Sequence, residues 1–424
     1  LTTRFSDVVA ADARHIWHPY TQHLGALPAI HATSASGAFI HTADGRRIFD
    51  AISSWWVTLH GHSHPAIVDA VTRQAAMLDQ VIFTSFTHEP AALFARDLVA
   101  ILPKGLNRVF FSDDGSTAVE VAVKMALQYH ANRGSRRSIV VALENAYHGD
   151  TFGAMSVSGR GTFTDPFSSL LFDVRRLPDP TTGDTVAAFD ALLAQEGRSI
   201  AALIVEPLLM GAGGMLMYDE ATLAALRARA RDNDILFIAD EVLTGFGRTG
   251  PLFACERAGI APDIICLSKG LTGGTLPLGG TVATDEIFDA FLSEDRHRTL
   301  FHGHSYTANP IACAVGRASL ALLDDQCARR RQAIHDAHLA GIASVSSHPL
   351  VRNPRTIGTV AAFDLAVGSG YLSPIGRDLA AFALEYDILL RPLGNVVYVL
   401  PPFCATPVDL AAVYSVIGQF LESL

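Results

Sequence analysis

Only three lysines occur in the chain, and they are not equivalent. Lys104 sits in Pro103-Lys104-Gly105, a turn. Lys124 follows Glu120 by four residues, the spacing of a surface ion pair on a helix. Lys269 closes the apolar run Asp263–Ser268 and is followed by Gly270, Gly273 and Gly274. An ammonium at the end of a buried strand loses hydration, which lowers its pKa and favours the neutral amine. A neutral amine attacks carbonyl carbon and forms an imine. The plainer reading is a lysine whose stem lies on apolar surface while its head reaches water.

A second group narrows the choice. The run Ile235-Leu236-Phe237-Ile238-Ala239 drives Asp240 to the end of another very apolar segment. A carboxylate there can keep a pyridine nitrogen protonated, and a protonated ring withdraws electrons from a reacting carbon. That is the chemistry of pyridoxal 5′-phosphate (PLP). N-capping or ion pairing is the commoner use of such an aspartate, and its pairing with Lys269 favours the cofactor. Gly115-Ser116 opens a helix directly after a strand, so its N–H groups and the serine hydroxyl suit a phosphate. Asp-Gly-Ser is also an ordinary turn and N-cap. Tyr147, in Tyr147-His148-Gly149-Asp150, can lay its ring over a flat cofactor or be a core tyrosine. His60, His62 and His64 alternate, as do His302 and His304. Alternating histidines on a strand can face one metal. No carboxylate or cysteine accompanies them at ligand spacing, so turn and packing roles are expected and no metal.

These groups need a frame that gathers strand ends. Short runs rich in Val, Ile and Phe fall at Arg108–Ser112, Ile139–Leu143, Ala201–Glu206, Ile235–Asp240, Asp263–Ser268 and Gly279–Ala283. Helical patterns fall at Glu89–Leu102, Ser116–Arg133, Glu220–Asp232 and Asn309–Leu323. The alternation predicts an α/β fold with a mostly parallel, doubly wound sheet buried on both faces. In such sheets ligands bind beyond the carboxyl ends of the strands. The polar residues following the runs are Asp113-Asp114-Gly115-Ser116, Glu206, Asp240-Glu241 and Ser268-Lys269. Around Ala43-Asp44-Gly45-Arg46 a hairpin is expected, with further short strands around Pro354–Phe363 and Val396–Leu400. The expected division is a large domain over 61–328 and one smaller α+β domain built from 1–60 and 329–424.

Composition excludes several classes. With 49% hydrophobic and 17% charged residues the chain is globular. A net charge of −10 argues against a nucleic-acid surface. The five cysteines are scattered without a C-x-x-C pair, which fits a reducing, cytoplasmic setting better than a disulfide framework. Leu1–Arg14 contains no apolar signal core, and no run of 18 apolar residues spans a membrane.

With these residues on the page, the chain resembles the class-III aminotransferases of PLP fold-type I over nearly its whole length. The resemblance rests on Asp240-Glu241-Val242, on Thr244-Gly245-Phe246-Gly247-Arg248-Thr249-Gly250, and on Pro262-Asp263 with Ser268-Lys269-Gly270. Within that class, Trp17-His18-Pro19-Tyr20, Ser53-Ser54-Trp55-Trp56, His60-Gly61-His62, Lys124–Tyr129, Tyr147–Phe152 and Arg391-Pro392 resemble the 7,8-diaminopelargonate synthases of biotin biosynthesis. The resemblance implies that Lys269 holds PLP covalently and shuttles a proton, that Asp240 binds the pyridine nitrogen, and that Tyr147 stacks on the ring. Gly115 and Ser116 would hold the phosphate, with Ser305 reaching it from the second copy of a homodimer. Tyr20, Trp55, Trp56 and Gly303 would line the substrate pocket, and Arg391 would pair with the keto acid's carboxylate. The implied substrates are 8-amino-7-oxononanoate and a donor, S-adenosylmethionine or lysine.

Two positions depart from the family pattern. Asp114 stands where the phosphate loop usually has serine, and His302-Gly303-His304-Ser305-Tyr306 replaces the usual His-Gly-Pro-Thr of the S-adenosylmethionine users. The alternatives on the same frame are an ω-amino-acid:pyruvate or 4-aminobutyrate-type aminotransferase and an aminomutase. A nicotinamide dehydrogenase is disfavoured by the lack of G-x-G-x-x-G after the first strand. The intact Lys269 and Asp240 disfavour a binding-only protein.

Overall fold

The computed structural model describes residues 5–25, 29–368 and 370–424. Its central sheet has seven strands: β1 Leu106–Ser112, β2 Ile139–Leu143, β3 Arg175–Leu177, β4 Ile200–Val205, β5 Leu236–Asp240, β6 Ile264–Leu267 and β7 Gly279–Thr284. The spatial order is β1-β7-β6-β5-β4-β2-β3. Every residue of β4, β5 and β6 is buried, which is why these strands are continuous apolar runs without alternation. Each fully buried Leu, Ile or Phe there contributes roughly 1.5–3 kcal/mol. Several such residues per strand offset the cost of carrying charged groups to the strand ends.

Two features were not readable in the pattern. β7 runs antiparallel to both neighbours, pairing Gly280 with Leu267 and Gly279 with Ser112. Only the segment 268–278 joins β6 to β7, too short for the crossover that a parallel pair needs. β7 therefore presents its start, not its end, to the crevice. Strand β3, Arg-Arg-Leu at the sheet edge, is too short and too polar to announce itself.

The helix Gly115–Asn132 packs across the sheet, burying Ala118, Val119, Ala122 and Ala126 completely. The expected hairpin forms from Phe39–Thr42 and Arg47–Asp50, preceded by Ala32–Ser36. Ile388–Leu389 adds to that sheet in parallel, opposite Phe49 and Asp50, so the two ends of the chain share one sheet. Near the C-terminus, Val351–Ile357, Val360–Leu365 and Val396–Val399 form a third sheet, with Pro354 at a register shift where a missing N–H costs nothing. Arg248 is wholly buried and ties these parts together, donating to Pro401 O at 2.8 Å and Thr58 O at 3.2 Å. Among the described residues no helix is long and apolar enough to cross a membrane.

Candidate active site

The ends of β1, β2, β4, β5 and β6 and the start of β7 surround a cavity of about 420 Å³. Lys269, Asp240, Tyr147, Gly115, Ser116 and Trp56 all line it. Residues far apart in sequence thus meet because parallel strands discharge their ends at one edge.

Lys269 follows β6 with φ of 34°, a strained value for a residue with a side chain. Its Nζ lies 5.3 Å from the centre of the Trp56 ring and has no hydrogen-bond acceptor among the described residues. Burial holds its pKa below the ordinary lysine value, while the Asp240 and Glu206 carboxylates pull the other way. More of the amine is therefore in the neutral form, which can attack a carbonyl or take up a proton, than in a surface lysine.

Asp240 ends β5 almost fully buried. One carboxylate oxygen accepts the Val242 N–H at 3.1 Å, and the other lies 2.7 Å from His148 Nδ1. His148 is itself buried, and its Nε2 has no partner among the described residues. The imidazole fixes the direction of the carboxylate. Glu206, just past β4, is the third ionisable group. It accepts the N–H of Tyr147 and of Gly211, each at 2.9 Å, and so places the Tyr147 ring. Burial pushes Glu206 up to about 7, opposed by His148 and assisted by Asp240. Glu206 directly ends an apolar run, the same signal that marked Asp240, whereas His148 lies five residues past Leu143, beyond a polar turn that gives it no such signal.

At the start of the Gly115–Asn132 helix the N–H groups of Gly115 and Ser116 have no acceptor among the described residues, as the first turn of a helix requires. A side chain at Gly115 would strike Val242, and one at Gly149, where φ is +132°, would strike Ser116. The cradle is thus open only because both are glycine. Asp114, the departure from the usual loop, is the helix N-cap. It accepts the Thr117 N–H at 2.8 Å, which directs the carboxylate to the helix start, and it also lines the cavity.

An aromatic group adjoins the cavity through Tyr147, although Tyr20, Trp55 and Arg391 are not among the cavity's lining residues. Tyr20 O–H donates to Asp150 and lies 3.5 Å from Tyr147 O–H. Burial, then the Asp150 acceptor, pushes Tyr20 up to about 12. The Tyr20 ring packs edge-on to Trp55 at 5.6 Å. Arg391 lies over Trp55 at 4.4 Å and has no carboxylate partner among the described residues. Trp56 sits deeper, under Lys269, with its N–H on Tyr398 O–H at 2.9 Å. Ser53, Ser54 and Trp56 all have positive φ. This tight turn is held by buried Asp50, which accepts Ser54 N–H at 2.8 Å and Ser54 O–H at 2.9 Å and meets His62 Nε2 at 2.9 Å.

The remaining expectations fall elsewhere. Gly303 and Ser305 are exposed and lie outside the cavity of their own chain. Lys124 does not pair with Glu120. Its Nζ reaches Phe301 O, while Glu120 accepts from Thr151 Oγ1, Gly153 N and Ala154 N. The alternating histidines take different partners: His60 contacts Ser319, His62 meets Asp50, His64 caps the helix Pro65–Ala75, and His304 lies 3.7 Å from Asp113, although the His60 and His64 rings still pack edge-on at 6.3 Å.

Residues 21–421 match the family model of the class-III aminotransferases. The chain belongs to that family. It is 52% identical, over 97% of its length and 99% of the relative's, to the adenosylmethionine-8-amino-7-oxononanoate aminotransferase of Synechococcus elongatus. The crystal structure of the enzyme so named from Methanocaldococcus jannaschii matches with a TM-score of 0.94, 32% identity and 98% of each chain covered. A PLP-bound amine transaminase from an uncultivated Pseudomonas species matches with 0.90 and 29%, covering 96% of this chain and 98% of that one. Like the rest of its family, this class-III aminotransferase depends on PLP. The cavity fits that cofactor: free N–H donors at one end, a buried carboxylate at the other, and an unbonded amine between them.

Proposed function

We propose that this class-III aminotransferase converts 8-amino-7-oxononanoate to 7,8-diaminononanoate in biotin biosynthesis, with S-adenosylmethionine as amino donor. The 52% identity across the whole chain carries this reading. Backbone similarity does not separate it from an ω-amino-acid:pyruvate or 4-aminobutyrate-type enzyme, because an amine transaminase superposes nearly as well.

The proposed roles follow from position. Gly115 N–H, Ser116 N–H and the Ser116 hydroxyl hold the phosphate, Asp240 holds the pyridine nitrogen, and Tyr147 covers the ring face. Bound there, PLP supplies an electron sink that lets hydrogen leave an amine-bearing carbon as a proton. Lys269 Nζ anchors the cofactor, then carries that proton, for which a depressed pKa is suited. Tyr20, Trp55 and Trp56 offer apolar faces to an alkyl chain. The unpaired guanidinium of Arg391 waits at the far end for the terminal carboxylate. In this scheme 61–328 supplies the cofactor groups, and 1–60 with 329–424 supplies the substrate wall. Two copies form a homodimer, in which Ser305 of the partner subunit completes the phosphate site and Gly303 of the partner subunit borders the substrate.

Arg391→Ala should weaken the keto substrate selectively. Losing one charge-assisted pair costs roughly 1.5–3 kcal/mol, or about 10- to 150-fold in kcat/KM. Single-turnover rates for the two half-reactions measure this; equal loss in both would remove Arg391 from carboxylate recognition.

The donor is tested by mixing holoenzyme with S-adenosylmethionine or lysine at equal concentration and following the cofactor absorbance. A sulfonium and an ammonium each gain roughly 0.5–2 kcal/mol over aromatic faces, so charge does not choose between them. Conversion by S-adenosylmethionine is expected. Conversion by lysine alone would change the donor and leave the second half-reaction standing, whereas inactivity toward 8-amino-7-oxononanoate would overturn the substrate.

A further inference from the structure

The helix that opens on Gly115 and Ser116 also carries Lys124, Gln128 and Asn132. Spaced by four, they form one stripe along its side. All three reach the same neighbouring segment, and they reach its backbone. Lys124 Nζ donates to Phe301 O at 3.1 Å and lies 3.2 Å from His302 Nδ1. Gln128 Nε2 donates to Thr299 O at 3.0 Å and to Arg298 O at 3.3 Å. Asn132 Nδ2 donates to Arg298 O at 3.3 Å, and Arg298 returns a bond to Asn132 O at 2.7 Å.

This segment's other bonds are short and local, among them His302 N–H to Leu300 O at 3.0 Å and Thr307 Oγ1 to His304 O at 2.9 Å. Residues 299–304 belong to no helix or strand, so no ladder holds their carbonyls. Phe301 is 69% exposed, and Gly303 and Ser305 beyond it are exposed as well. At the far end Gln80 donates to Ser305 O, and Asn309 Nδ2 donates to Asp79 O at 3.0 Å. The loop is therefore pinned on both sides, and in its middle Gly303 and Ser305 are exposed and outside the lining of their own cavity, while His304 lies 3.7 Å from Asp113. Burial and the adjacent Lys124 ammonium hold His302 below the ordinary histidine range, which keeps Nδ1 available as an acceptor.

We propose that Lys124, supported by Gln128, is a positioning residue for the cofactor site of the other copy, holding the 301–305 segment so that Ser305 meets the phosphate across the interface. This rests on the two-copy reading above. One helix then serves two sites, its own through the N–H groups at its start and its neighbour's through its side.

Lys124→Met keeps the stem and removes the ammonium, and Lys124→Arg restores a cationic donor. Retention of covalently held PLP on dilution of the holoenzyme, read by absorbance, should weaken about tenfold in the Met variant and recover in the Arg variant. Hybrid dimers separate this from a local defect. With Lys124→Met and Lys269→Ala on different chains, the one working Lys269 faces a loop held by native Lys124, and retention should be normal. With both substitutions on one chain and a wild-type mate, the working site faces the loosened loop, and retention should fall about tenfold. Loss that follows the working chain's own Lys124 overturns the inference, as does a dimer whose retention Lys124→Met leaves unchanged. A holoenzyme that light scattering shows to be monomeric overturns the two-copy reading and the inference with it.

Discussion

Lys269→Ala should remove the visible absorbance band that borohydride bleaches in the wild-type holoenzyme, and lower turnover by about 10³-fold or more. Two functions are lost together. The covalent anchor goes, and so does the group that carries a proton between carbons, which alone is worth roughly 10²–10⁴. The surrounding structure should survive. Nζ makes no hydrogen bond to the described residues, so its removal leaves no buried acceptor unpaired, and burial of the ammonium was itself a cost. Lys124→Ala, on the exposed side of its helix, should keep the bleachable band in undiluted holoenzyme and lose cofactor only on dilution. The measurement is an absorbance scan before and after borohydride, with the reduced adduct located by peptide mapping. An adduct on Lys124 or Lys104, or a variant that keeps its band, would end the assignment of Lys269.

Asp240→Asn should retain the cofactor yet slow proton abstraction by roughly 10²–10³, the range seen when a preorganised electrostatic stabiliser is removed. An amide has the shape of the carboxylate but not its charge, so the ring nitrogen is no longer kept protonated. The neighbourhood predicts a second consequence. His148 Nδ1 lies 2.7 Å from one Asp240 oxygen, and Val242 N–H bonds the other. An asparagine can satisfy only one of these with its carbonyl, and its NH₂ must then meet either the imidazole or an N–H. A loss of stability of roughly 1–3 kcal/mol is expected beside the kinetic defect. Asp240→Glu restores the charge with displaced geometry and should recover part of the rate. Single-turnover kinetics with either donor distinguish these outcomes, and near-normal half-reactions in Asp240→Asn would remove the residue from its role.

The groups proposed to hold the cofactor's carbonyl, ring nitrogen and phosphate stood out in the sequence for simple physical reasons. A strand buried on both faces tolerates nothing polar, so Lys269, Asp240 and Glu206 stand out at the ends of apolar runs. Gly115-Ser116 stood out because a helix start directly after a strand exposes unpaired N–H groups. The proposed substrate wall was suggested only by resemblance, since Tyr20, Trp55 and Arg391 lie in segments with no simple period.

What the sequence determined by itself is therefore the local chemistry: which side chains end the buried strands, where helices begin, and that PLP is the cofactor those groups suit. The tertiary structure decided what meets what. It turned β7 antiparallel because its connection is short. It set His148 against Asp240 and Glu206 against the Tyr147 backbone. It took Lys124 from Glu120 to the Phe301 carbonyl. Each of these depends on groups separated by turns, strands or whole domains. The energy of a hydrogen bond falls away within a few tenths of an ångström of its proper length, and spacing along a chain does not specify distance on that scale.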